Sequence, residues 1–181
     1  MLYEILAKLQ RRNQISLLKK HPNVSFKEIR LGIDDQFVLH KNAKKITIGN
    51  AASFRNYIHI LVEKNATLEI GDHFFMNNFC SINCLESISI GDNTLFGENV
   101  KLYDHNHAYH AGPDFKLLHS EFTKAPIRIG SNCWLASNVT VLKGVTIGDN
   151  CIIGAGCVIY KDIPANTTVI NRQDLMLKDQ L

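Results

Sequence analysis

The sequence predicts an all-β solenoid, a parallel β-helix wound from six-residue steps, and three observations predict it. First, aliphatic residues recur every sixth position at Ile129, Leu135, Val141, Ile147, Ile153 and Ile159. Second, four residues after each comes a small or branched one: Cys133, Val139, Val145, Cys151, Cys157 and Ile163. Third, an apolar-any-apolar-Gly signature ends at Gly49, Gly71, Gly91, Gly130 and Gly148. A period of six fits neither a helix, at about 3.6, nor a strand alternating at about 2. It is the repeat of a β-helix in which each step forms one face of a coil. Three steps close a coil, so Ile129 should stack on Ile147 and Cys133 on Cys151, burying a column that no single repeat buries alone. The corner glycines are expected to supply backbone angles that a side chain would block.

The elements follow in order. Leu2 to Lys20 place Leu2, Ile5, Leu6, Leu9, Ile15, Leu17 and Leu18 at helical spacing and stop before His21-Pro22, which predicts a helical cap over residues 1–22. Such a cap covers the open end of a solenoid; its basic residues Lys8, Arg11, Arg12, Lys19 and Lys20 leave a membrane-surface role open as the rival reading. The β-helix should occupy 23–166. Its signature glycines lie 22, 20, 39 and 18 residues apart, so the winding is loose at the start and regular at the end. The interval of 39 holds one coil plus an excursion, placed at 104–126 and read as a protruding loop. That loop carries His105, His107, His110 and His119, and long loops on a rigid repeat array are where function is expected. Residues 167–181 read as a short tail.

Composition excludes several classes. At 181 residues and 45% hydrophobic content, one globular domain is expected. A net charge of +3, spread rather than blocked, argues against a dedicated nucleic-acid surface. No apolar run is long enough to span a membrane, and Met1 to Ile5 lack a signal-peptide core, so a cytoplasmic protein is expected. Five cysteines fit reduced thiols. Cys80, Cys133, Cys151 and Cys157 share the interior phase and read as packing, whereas Cys84 is off that phase and could line a cleft, so its role is open.

The residues Cys133 to Val139, Gly144 to Asn150, Ile153 to Gly156 and Lys161 to Pro164 resemble the hexapeptide-repeat acetyltransferases, in particular the galactoside and maltose O-acetyltransferases and the O-acetyltransferases of bacterial surface polysaccharides. The resemblance runs from about Phe74 to Pro164. It implies a left-handed β-helix, a hand the period alone does not give, a homotrimer with active sites between subunits, and acetyl-CoA as donor without a metal. Counting from Asn99-Val100, the family's catalytic histidine falls on His107; His105 shares the face of an extended segment and is the rival. A neutral imidazole can take the proton of a sugar hydroxyl as it attacks the thioester, and backbone N–H groups stabilise the oxyanion. Asp104 or Glu86 would orient the ring, or be plain surface acids.

The same resemblance assigns Asn77 to the acceptor, or alternatively to a corner asparagine ladder. It assigns Trp134 to both acceptor and pantetheine arm, or alternatively to outer-face packing. Ser137, Ala155 and Lys161 match the CoA groove, and Lys143 and Arg172 are further phosphate partners by charge. Three departures stand out: Leu85, with Glu86 beside it, replaces the family's acceptor-gripping acid; Leu2 to Lys20 replace its helical domain; and Ile170-Asn171-Arg172 replace its closing segment. An acceptor sugar within a glycan, or its lipid- or nucleotide-linked precursor, suits these better than a free galactoside. The alternatives are N-acetylation of an amino sugar, a zinc enzyme using His105, His107 and His110, which would make a poor cage within one loop, and a non-enzymatic scaffold.

Overall fold

A computed structural model of the chain describes residues 2–173. The helix α1, Leu2–Lys20, opens it, with Glu4 in the first turn and Lys19 and Lys20 in the last, each charge placed to suit the helix dipole. Leu18 enters the core and Ala7 is buried. Arg11 Nε donates to Gly32 O at 3.3 Å and Gln10 Nε2 to Asp34 Oδ1 at 3.1 Å, which pins the helix to the first coil as a cap.

The chain then winds a three-faced parallel β-helix. The first face stacks Val24–Phe26, Lys45–Ile48, Thr67–Ile70, Ser87–Ile90, Ile127–Ile129 and Thr146–Ile147. The second runs from Ile29–Arg30 through Phe75–Met76, Leu95–Phe96 and Trp134–Leu135 to Thr168–Val169. The third runs from Gln36–Leu39 through Ser81–Cys84, Lys101–Tyr103 and Thr140–Leu142 to Val158–Ile159. This is the hexapeptide-repeat left-handed β-helix architecture. Winding continues past the last hexad, because Thr168–Val169 pairs with Ile152–Ile153. The expected tail lies outside the described residues from 174 onward.

Register accounts for the core. Ile48, Ile70, Ile90, Ile129 and Ile147 sit one above the next on the first face. All six positions of each hexad set are buried. The longer early coils are filled by rings instead: Phe37, Phe54, Phe74 and Phe96 form a chain of contacts with centroids 5.0 to 6.2 Å apart. Cys84 is fully buried beside Val62, so it is a core residue and lines no cleft.

The role expected of the corner glycines is corrected. None of the five signature glycines has positive φ; at Gly130 a Cβ would sit 2.3 Å from Asp149 Oδ1 and 2.7 Å from Asp149 N of the next coil. Close coil-to-coil approach demands glycine there. From Asn93 onward the non-glycine left-handed positions are all asparagine, at Asn93, Asn99, Asn132, Asn138, Asn150 and Asn166, a residue that tolerates that region, with Gly144 and Gly156 taking two further corners. The earlier coils place Asp34, Ala51, Tyr57, Asn65, His73 and Phe79 there. The asparagine side chains form ladders, Asn132 to Asn150 at 3.2 Å and Asn150 to Asn166 at 3.0 Å.

Candidate active site

The excursion is an antiparallel hairpin, not an irregular loop. It leaves the third face after Lys101–Tyr103, runs out along His105–His110 and returns along Lys116–Lys124. Alternation puts His105 and His107 on one side, as expected of an extended segment. A bulge after His107 shifts the register toward the tip. Phe122, directly opposite His107, touches both imidazoles, with centroids 5.3 Å from His105 and 4.7 Å from His107.

Asp104 anchors the base of the hairpin. Its carboxylate is fully buried and accepts backbone N–H bonds from Leu85 at 2.8 Å, Glu86 at 2.7 Å and Ser87 at 3.0 Å. A buried carboxylate needs such donors. His105 Nδ1 lies 3.2 Å from Asp104 Oδ1, so the tautomer carrying the proton on Nδ1 donates there and leaves Nε2 as an acceptor. His105 is half-buried, whereas His107 is exposed and makes no bond to Asp104. Glu86 contributes its backbone to this turn; its side chain is exposed. Beneath the hairpin lies a cavity of about 490 Å³ lined by Glu63, Lys64, Leu85, His105, Phe122 and Lys124 among others. Lys124 Nζ donates to Leu85 O at 3.2 Å, closing one wall.

The other predicted residues stand elsewhere. Trp134 is half exposed on the second face, in an outward row with Phe75, Leu95 and Ile152. Ser137 and Ala155 follow at the corner between second and third faces, where Gly156 N donates to Ser137 O at 3.0 Å. Asn77 occupies that corner two coils before Ser137, its Oδ1 accepting from Asn78 N at 2.9 Å. Lys143 and Lys161 lie at the corner between third and first faces, the one from which the hairpin springs. Arg172 is exposed beyond the last strand.

In a three-sided prism this corner is opposite the second face. The imidazoles and Trp134 are therefore on opposite sides of one chain. The fold gathers His105, His107 and Asp104 together, and Trp134, Ser137, Ala155 and Asn77 together, but does not bring the two groups into one cleft.

Phe122, Lys124 and Lys64 were missed from the sequence: hairpin register brings Phe122 and Lys124 to the imidazoles, and the stacking of coils puts Lys64 on the same cavity. No cysteine is poised as a nucleophile near them. Burial pushes the Cys80 thiol up to about 11. Cys84, raised first by burial and then by the neighbouring Asp104, is held still more firmly protonated. Among the described residues, no group of three or more His, Cys, Asp and Glu is arranged to hold a metal ion.

A prism of six-residue steps carries a histidine-bearing hairpin at one corner. Residues 126–161 match the family model described as bacterial transferase hexapeptide (six repeats). Galactoside O-acetyltransferase of Escherichia coli is 40% identical over 101 residues, 56% of this chain and 48% of that protein. The putative lipopolysaccharide biosynthesis O-acetyl transferase WbbJ of Escherichia coli is 34% identical over 108 residues, 54% of this chain and 53% of its own length. The chain thus spans about half the length of these curated relatives. Among solved structures, a hexapeptide-repeat containing acetyltransferase from Vibrio cholerae superimposes with TM-score 0.59 at 28% identity, over 67% of this chain and 66% of that one.

Proposed function

We propose that the protein transfers an acetyl group from acetyl-CoA to a hydroxyl of a sugar, within a bacterial surface polysaccharide or its precursor, as a homotrimer with sites between subunits. The observation that carries this reading is the hairpin itself. It presents two imidazoles at one corner of a prism whose opposite face carries Trp134, next to a corner of small residues. Neither half alone holds both an imidazole and Trp134; the hairpin of one copy laid against the second face of the next brings them into one cleft. Relatives with this repeat are named as sugar O-acetyltransferases.

In this site the donor's pantetheine arm lies along Trp134, Ser137 and Ala155. Gly156 suits close approach there, since a Cβ on it would meet only Asn171 Nδ2, at 3.3 Å. Lys143, Lys161 and Arg172 supply cations for phosphate. The acceptor hydroxyl attacks the thioester carbonyl while an imidazole takes its proton. The carbonyl π pair moves onto oxygen, where backbone N–H groups stabilise it. The C–S bond then breaks, and the leaving thiolate recovers the proton from the imidazolium. The products are the acetyl ester and free CoA, with no acylated side chain. Asn77 and Glu86 are the acceptor contacts in this scheme.

His107 is the base in the first reading, by its place after Asn99-Val100 and its exposed ring. The contact between His105 Nδ1 and Asp104 favours a second, with His105 as the base, since the tautomer that donates from Nδ1 leaves Nε2 free to accept a proton and the residue lines the cavity. The test is release of free thiol from acetyl-CoA against a panel of sugars, sugar nucleotides and oligosaccharides carrying hydroxyl or amino groups. A hydroxyl acceptor should be turned over, and His107→Ala should lower kcat by a factor of roughly 100 or more with CoA binding intact. Loss in His105→Ala with His107→Ala near wild type selects the second reading. Exclusive use of amino acceptors would overturn O-transfer.

A further inference from the structure

The N-terminal helix is built the wrong way round for a simple cap. Its inward side, carrying Ala7, Gln10, Arg11, Gln14 and Leu18, meets the first coil through two buried side chains and a set of polar bonds. At about 100° per residue, Leu2, Ile5, Leu6 and Leu9 fall on the opposite side, where a cap facing water should be polar. All four, and Tyr3 and Leu17 with them, are more than half exposed. Lys8, Arg12 and Lys19 border this stripe along one flank. The helix holds five basic residues against the single acid Glu4. The whole chain has a net charge of only +3, so the positive charge is concentrated here.

We propose that this outer face of α1 docks on an anionic lipid surface. The helix would lie in the plane of the interface, with Leu2, Ile5, Leu6 and Leu9 in the acyl boundary and the flanking cations among anionic headgroups. Charge decides the occupant. Two such helices packed face to face would each bring a surplus of positive charge, whereas an anionic surface neutralises it. No helix among the described residues is long and apolar enough to cross a membrane, so the contact is peripheral. The inference uses none of the hairpin residues, so its failure and that of acetyl transfer are separable.

The test is flotation of the full chain with vesicles of phosphatidylcholine alone and of equal parts phosphatidylcholine and phosphatidylglycerol. At least tenfold more protein should float with the anionic vesicles, and added salt should release it. The double variant Leu6→Glu/Leu9→Glu should lose that binding tenfold or more, and Lys8→Glu/Arg12→Glu should lose the preference for anionic lipid. These side chains are exposed, so the melting temperature and thiol-release activity should stay at wild-type values. No flotation, or equal binding to both vesicles, overturns the proposal. So does a fall in particle mass by light scattering for Leu6→Glu/Leu9→Glu, which would assign the face to a second copy.

Discussion

The prism and its hairpin are both β-structure, yet they are stabilised in opposite ways. Along the prism, every inward position from Ile46 to Ile159 on the three faces is buried, and each coil repeats the side chains of its neighbour. Along the hairpin, from His105 to Lys124, no side chain is fully buried and the two strands pair only with each other. One region is stabilised by packing it shares with its neighbours, and the other is held at its root by Asp104. A rigid frame with a lightly packed arm separates the demands of stability from those of chemistry. Changes in the arm should therefore cost activity and little stability, and changes in the frame the reverse.

The largest effect expected from this contrast is on turnover. Replacing residues 106–123 by a short Gly-Ser link should abolish acetyl transfer while the thermal midpoint moves by a few degrees at most; co-unfolding of the prism would break the comparison. Next comes the frame. Leu135→Ala removes a fully buried side chain and should cost about 2–5 kcal/mol, against about 0.5 kcal/mol or less for Leu117→Ala on the exposed hairpin, both read by urea denaturation. Gly130→Ala should cost roughly 1–3 kcal/mol, since its Cβ would press on Asp149 of the next coil.

The smallest effect concerns the first coil. Asp35 is buried, and burial raises its pKa from 3.8 to about 6 although the amides of Ile58 and Gly32 oppose the rise. The folded chain thus binds a proton that the unfolded chain has released, so stability is highest below the lower value and falls as pH rises through the window from 3.8 to about 6. Denaturation midpoints across that window should fall in the wild type and stay flatter in Asp35→Asn.

How much was legible follows from the same contrast. The coils could be read because each step sees the same neighbours, so Ile129 over Ile147 follows from counting. The purpose of Gly130 could not, because its constraint comes from the backbone of the next coil and not from its own φ. Cys84 looked displaced only because the coil around it is longer than eighteen residues, which shifts the phase. The hairpin has no repeat to count. His105 and His107 could be named from the chain, but Phe122 between them and the carboxylate of Asp104 under three backbone amides depend on a register that only the folded pairing sets. The opposition of Trp134 to the hairpin is a property of the closed triangle.

That opposition gives the most direct test. If the hairpin of one copy meets the second face of another, two variants, each inactive alone, should restore one another. Mix His105→Ala/His107→Ala with Trp134→Arg, exchange subunits by mild denaturation and refolding, and measure thiol release from acetyl-CoA. Random assembly leaves about one interface in four with both halves intact, so about a quarter of wild-type activity should return. Mixed oligomers that stay inactive would contradict an active site shared between copies.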